Sequence, residues 1–260
     1  MLLVTSAIEA MRNQRQVHVN GKDYTLSEFV GAMPLRGHYQ EGNEVNDNGL
    51  PQGFLVTQPP GSVTPAHFHE PNQFQVFVAG CGRLGAKPAT PLAVQYANSH
   101  TPYGPIVAGA EGLSYFTLRQ RWDPGAKYVP AALEKLRKGG QRTRMASGLA
   151  MGPEDERKAR TCTKTETIFE AEADGLAAYL MRAGAEQRVR GLPDAREGGG
   201  QYLLVAGGSA VHDGNELPRW STIFLSREEP PPSITTGATG LDLLVLQFPQ
   251  LDPGSRRANR

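Results

Sequence analysis

The stretch GSVTPAHFHEPNQFQVFVAG, residues 61–80, decides how this chain is read. His67 and His69 stand two apart, and in an extended strand residues i and i+2 project from the same face. Gln73, Gln75 and Phe77 continue the same parity if no bulge intervenes. Two imidazoles and two amides on an inward face are costly unless each meets water, a metal or a polar ligand. Gly61 opens the stretch and Gly80 closes it, as turn residues bounding a strand pair do.

Strand-like runs surround this segment: GFLVTQ before it, LAVQYA and LSYFTLR after it, then GLAAYLMRA, QYLLVAGG, WSTIFLS and LDLLVLQFP further on. VHVNGKDYTL (17–26) reads as a hairpin turning at Asn20-Gly21. PIVAGAEGLSYFTLR (105–119) and SITTGATGLDLLVLQ (233–247) share six of fifteen positions at a spacing of 128, and Val78-Ala79-Gly80 repeats as Val205-Ala206-Gly207 at 127. Two matches at nearly one offset indicate two copies of an all-β unit of about 90 residues. Short antiparallel strands at this spacing suggest a barrel or jelly roll.

With these residues in view, the segment 61–80 resembles the first motif of the cupin superfamily, in which glycine, His-x-His, a carboxylate and a closing glycine recur. Gly61, His67, His69 and Gly80 fall at the family's spacings, with Gln73 where the family has Glu. The resemblance implies two tandem cupin (jelly-roll) β-barrels: an N-terminal arm over 1–40, a first barrel over 41–128, a polar linker over 129–164, a degenerate second barrel over 165–250 and a disordered tail over 251–260. It also implies one divalent transition metal (Fe, Mn, Ni, Cu, Zn or Co) in the first barrel on His67, His69 and Gln73, with His100 or water completing the shell. The second cupin motif aligns with NSHTPYGPIVAGAEG (98–112), where Gly104 or Tyr103 takes the place of a histidine and His100 lies earlier. An amide oxygen is a weaker ligand for such a dication than a carboxylate, since it brings no negative charge.

Two functions stand side by side. One is a metal-dependent cupin enzyme acting on a small organic molecule, dioxygenase-like by resemblance. The other is a non-catalytic small-ligand-binding or scaffold bicupin that has lost its metal. Gln75, Gln95, Tyr103 and Arg119 are the candidate ligand-binding residues. Arg119 and Arg121 end a strand; they suit either recognition of a carboxylate or a charged strand end, and the second is the plainer reading. The segment matching the histidine pair in the second copy, GLPDAREGGG (191–200), has no histidine, so no metal is expected there. His212 is expected in an exposed turn.

Composition narrows the rest. A formal net charge of +1 over 260 residues argues against nucleic acid or an anionic membrane as partner. Thirty glycines and twenty prolines suit many short strands. The two cysteines, Cys81 and Cys162, form no disulfide framework. No apolar run reaches membrane-spanning length, and residues 1–12 read as a short amphipathic helix and not as a signal peptide. The expected setting is cytoplasmic, the expected partner a small molecule, and a homodimer is compatible with the resemblance.

Overall fold

The computed structural model describes residues 1–137 and 139–250; the tail 251–260, expected to be disordered, lies outside them. The chain divides into two units: Glu9–Ala150, and Met1–Ile8 together with the residues from Met151 onward. No helix is long and apolar enough to cross a membrane among the described residues. Cys81 and Cys162 are exposed free thiols.

In the first unit the strand Ile106–Arg119 is central. It pairs antiparallel with Gln52–Gln58 on one side and Gln73–Leu84 on the other. Beyond these the sheet continues to Lys22–Val30 and Gln14–Val19 at one end, and to Val94–Ala97 and Thr143–Ala146 at the other. Residues directly opposite in an antiparallel pair share a face. Arg119 lies opposite both Gln52 and Gln73, so three polar side chains emerge side by side. Gln75 lies opposite both Thr117 and Gln95. The same face carries the apolar core, with Phe54, Val56, Phe77 and Tyr115 packed against Val17, Tyr24 and Leu26.

The second unit repeats the plan. Thr235–Gln247 is central, flanked by Gln201–His212 and Ala177–Ala183. The two central registers superpose at a single offset. Leu113 faces Gly80 and Tyr115 faces Phe77 in one unit; Leu241 faces Gly208 and Leu243 faces Val205 in the other. Every one of these correspondences is 128 apart. Val78-Ala79-Gly80 therefore matches Ala206-Gly207-Gly208, one residue beyond the match made in sequence. A β-bulge at this point in each unit absorbs one residue. Gly80 and Gly208 have φ of 69° and 70°. A Cβ would stand 2.2 Å from Gly112 O at the first and 1.8 Å from Gly240 O at the second, so neither position admits a side chain.

Several expected boundaries shift. Residues 1–12 are not one helix: Leu2–Thr5 is a strand paired with Thr222–Leu225 of the second unit, and only Ala7–Ala10 is helical. Residues 1–40 are not an arm, since the hairpin Gln14–Val19/Lys22–Val30 extends the first sheet through Gln52–Gln58. Its turn is at Asn20-Gly21, both at positive φ (47° and 78°), the two-residue geometry that matches strand twist. The expected linker contains Thr143–Ala146, paired with Val94–Ala97, and the helix Glu154–Lys158. Arg157 of that helix donates from Nε to Thr239 O at 2.8 Å, and Arg160 beyond it binds the buried Asp242 at 2.7 Å. These pairings join segments far apart in sequence, so local pattern does not show them. The strands make a jelly-roll arrangement whose hydrogen-bonded paths do not close into full rings among the described residues.

Candidate functional site

His67 and Phe68 form a two-residue strand that pairs with Lys127–Tyr128, and His69 follows directly after it. Phe68 packs to one side, where its ring meets that of His100 at 5.7 Å. The two histidines turn to the other, with ring centroids 5.1 Å apart in a T-shaped arrangement. Both are buried and line one cavity with Gln75, Tyr103 and Arg119.

Each imidazole nitrogen in this pair has a partner. His67 Nδ1 donates to Pro65 O at 2.7 Å, which leaves Nε2 to accept from the Tyr103 hydroxyl at 2.9 Å. His69 Nδ1 donates to Asp123 Oδ1 at 2.7 Å, and its Nε2 accepts from Arg119 Nη2 at 3.0 Å. Gln73 joins the two halves: its amide donates to the Tyr103 oxygen, and its Oε1 accepts from Arg119 Nε at 3.0 Å. Arg119 Nη1 donates to Gln52 Oε1 and lies 3.7 Å from Asp123 Oδ1. Asp123 also accepts from the backbone N–H groups of Glu70 and Gly125, at 3.1 and 2.9 Å. A buried polar network is stable only when its members are satisfied, and this one closes on itself.

The electrostatics follow from burial and from Arg119. Burial lowers the His67 pKa to about 3, with His69 and Arg119 adding to the effect. Burial, then the Arg119 charge, lowers His69 to about 4, against the pull of Asp123. Both rings are therefore neutral near pH 7. Burial alone would raise the Asp123 carboxyl; the hydrogen bond from His69 and the charges of Arg119 and Lys127 outweigh it and hold the group well below the usual carboxylate range. Burial raises the Tyr103 phenol, so it stays protonated and can donate. Arg119 and Asp123 balance in charge.

These positions bear on the expected metal centre. Of the four expected donors, His67, His69 and Gln73 come together and His100 does not. His100 sits behind Phe68 at φ 54°, and its Nδ1 accepts from the backbone of Arg137 at 3.4 Å. Tyr103 takes the place opposite His67 instead, bridged to it by a backbone pair. Two of the three converging donor atoms, His69 Nε2 and Gln73 Oε1, point at one guanidinium. A fixed cation at hydrogen-bond distance from these atoms, with no carboxylate among the three, does not fit a dication. No group of three or more His, Cys, Asp or Glu able to hold a metal occurs among the described residues.

Arg119 is neither a surface strand end nor an open carboxylate clamp; it is 2% exposed and bonded on all three nitrogens. Gln95 is buried opposite Gln75. His212 is buried rather than exposed, its Nδ1 bonded to Ser233 O at 3.1 Å, a partner twenty-one residues further along the chain. Asp123 and Gln52 went unseen in sequence. Asp123 lies four residues after Arg119, the one hint available. In the second unit the offset of 128 places Leu203 at Gln75 and Gln247 at Arg119, so the matching interior is largely apolar.

No family model matches the chain, and no curated protein matches it in sequence. Solved structures do match in fold. A protein provisionally described as a dioxygenase, from Nostoc punctiforme, is 11% identical with a TM-score of 0.60, over 96% of this chain and 83% of that one. Oxalate decarboxylase from Bacillus subtilis is 11% identical with a TM-score of 0.55, over 96% and 77%. A bacterial pirin from Escherichia coli, solved in complex with nickel(II), is 8% identical with a TM-score of 0.52, over 96% and 100%. The likeness covers 96% of the chain and is a likeness of fold: the chain has the fold of these structures.

Proposed function

We propose that the first unit binds a small organic molecule in the cavity beside His67, His69, Tyr103 and Arg119, and does so without a bound metal. The observation that carries this reading is the Arg119 guanidinium, bonded to both His69 Nε2 and Gln73 Oε1. It supplies as a side chain the positive charge that a dication would bring. The cavity, about 70 Å³, is lined mostly by apolar side chains with a few polar groups among them, the kind of lining a small-molecule site has.

A metal-dependent dioxygenase has the fold in its favour, since one of the similar structures is provisionally described as a dioxygenase. The donor set weighs against it. A general acid or base needs a nitrogen or oxygen within reach of a substrate proton, and His67 and His69 spend both ring nitrogens on protein partners. Binding is what this arrangement does best: Tyr103, Gln73 and Asp123 lock the imidazoles and the guanidinium in place, and the pre-ordered wall costs little to organise.

Metal content tests the reading. Protein purified without chelator is expected to carry less than about a tenth of an equivalent of any first-row metal, and none on titration with Mn, Fe, Ni or Zn. Half an equivalent or more, lost in His69→Ala, would overturn it.

A further inference from the structure

Taking the metal-free reading as its basis, we infer that the ligand is neutral, with an apolar body and a hydroxyl or amide N–H that donates to Gln75. The polar end of the cavity has spent its other bonding capacity. Arg119 is balanced by Asp123, Lys127 is paired with Glu70 at 2.9 Å, His67 and Gln73 are both bonded to Tyr103, and His69 is bonded to Asp123 and Arg119. An anion placed there would have to break Arg119 from its acceptors.

What is left over is acceptor capacity. Gln75 lines the cavity and is 2% exposed, yet its Oε1 meets no donor. Gln95, its direct neighbour across the strand pair and also 2% exposed, has an Oε1 in the same condition. A buried oxygen without a donor is costly, and two side by side on one face ask for O–H or N–H groups. Around Gln75 the cavity walls are hydrocarbon and aromatic: Val17, Leu26, Phe54 and Val56, with Tyr24 and Tyr115. The tyrosine hydroxyls face partners of their own, Tyr24 accepting from Thr64 and Tyr115 donating to Gln58. In the second unit, leucine stands at the position of Gln75, and the acceptor is gone. Arg36 also lines the cavity, but it is exposed, where water and salt screen its charge and make it a weak holder of an anion.

Four probes separate the classes in calorimetry on the full chain: phenol and cyclohexanol as neutral donors, toluene as the donor-free shape, benzoate as the anion. Phenol and cyclohexanol are expected to bind at least tenfold more tightly than toluene, and benzoate no more tightly than toluene. Gln75→Leu is expected to cut phenol affinity at least fivefold and leave toluene unchanged. Gln75→Glu, which keeps the acceptor if the leucine variant fails to fold, is expected to retain phenol. Benzoate as the tightest probe, phenol binding indifferent to Gln75→Leu, or no binding by any probe would overturn the inference. Metal analysis of the same samples reports separately on the reading beneath it.

Discussion

Arg119 Nη2 stands 3.0 Å from His69 Nε2, so an imidazole that resembles a metal ligand accepts instead from a guanidinium. The other edge of that ring donates to Asp123. The histidine is thus held between a cation and a carboxylate, with its tautomer fixed by both. In metal sites an outer carboxylate orients the ligating histidine in the same way. Here that outer carboxylate is kept while the metal's place is taken by a side chain.

Removing the guanidinium and restoring the carboxylate should uncover a metal site. Arg119→Ala combined with Gln73→Glu leaves His67, His69 and a carboxylate facing one space. This double variant is expected to bind Ni or Zn at about one equivalent in calorimetry, with no binding by the parent chain. Equal binding by both would show that Arg119 does not stand in the way.

Arg119→Ala alone is expected to be costly. It leaves Asp123, which is 0% exposed, without its guanidinium. Breaking a buried ion pair on one side costs about 3–5 kcal/mol. Asp123→Asn should cost a similar amount. The pair changed together, Arg119→Ala with Asp123→Asn, should fall short of the sum by about 1–3 kcal/mol. Denaturant unfolding of the four proteins measures the coupling; simple additivity would mean that the 3.7 Å pair carries no interaction.

Stability should fall with acid earlier than carboxylates alone would cause. His67 and His69 have folded pKa values of about 3 and about 4, below the value of 6.5 of a free histidine. Between those limits the unfolded chain binds more protons than the folded one, so stability rises with pH there and levels off above about 7. Each histidine should account for about 2 kcal/mol between pH 7 and pH 5. Asp123 adds a loss of the same sign once the pH falls below the ordinary carboxylate value of 3.8, where the unfolded chain takes up a proton that the depressed folded carboxyl does not. Urea midpoints across pH 4–8 test this, and a curve flat from pH 7 to 5 would contradict it. His67→Gln with His69→Gln should remove most of the slope.

Tyr103→Phe takes away one hydroxyl and strands two groups, the His67 Nε2 acceptor and the Gln73 amide donor. Leaving buried groups unpaired costs about 1–3 kcal/mol each. A loss of about 2–4 kcal/mol in equilibrium unfolding is expected; a change under 0.5 kcal/mol, within the usual range of a surface substitution, would place the hydroxyl outside the network.

Sequence alone carried the fold a long way because the fold is written in local pattern and in its repetition. His67-x-His69, the Asn20-Gly21 hairpin and the glycine-ended strands 106–119 and 235–247 all report on neighbours a few residues off. The match of Val78-Ala79-Gly80 to Val205-Ala206-Gly207 fell one residue short of the structural offset, since an identical tripeptide recurs there out of register. The site was half visible. Spacing and strand parity brought out His67, His69, Gln73 and Gln75. What those residues bond to was not visible, because Arg119, Tyr103, Gln52 and Asp123 arrive from other strands and loops. Arg119 looks like a surface charge in sequence because nothing local shows that Gln52 and Gln73 will stand on either side of it.

The pairing of Leu2–Thr5 with Thr222–Leu225 carries a consequence for biosynthesis. On the ribosome, the edge strand of the second unit emerges long before the partner it needs, and the whole first unit is translated in between. The first unit can complete its sheet while that strand is still waiting. Trimming or masking residues 2–5 should therefore leave the ligand cavity intact and injure the distant unit, which would lose an edge strand and show its damage as late-stage aggregation of nascent chains.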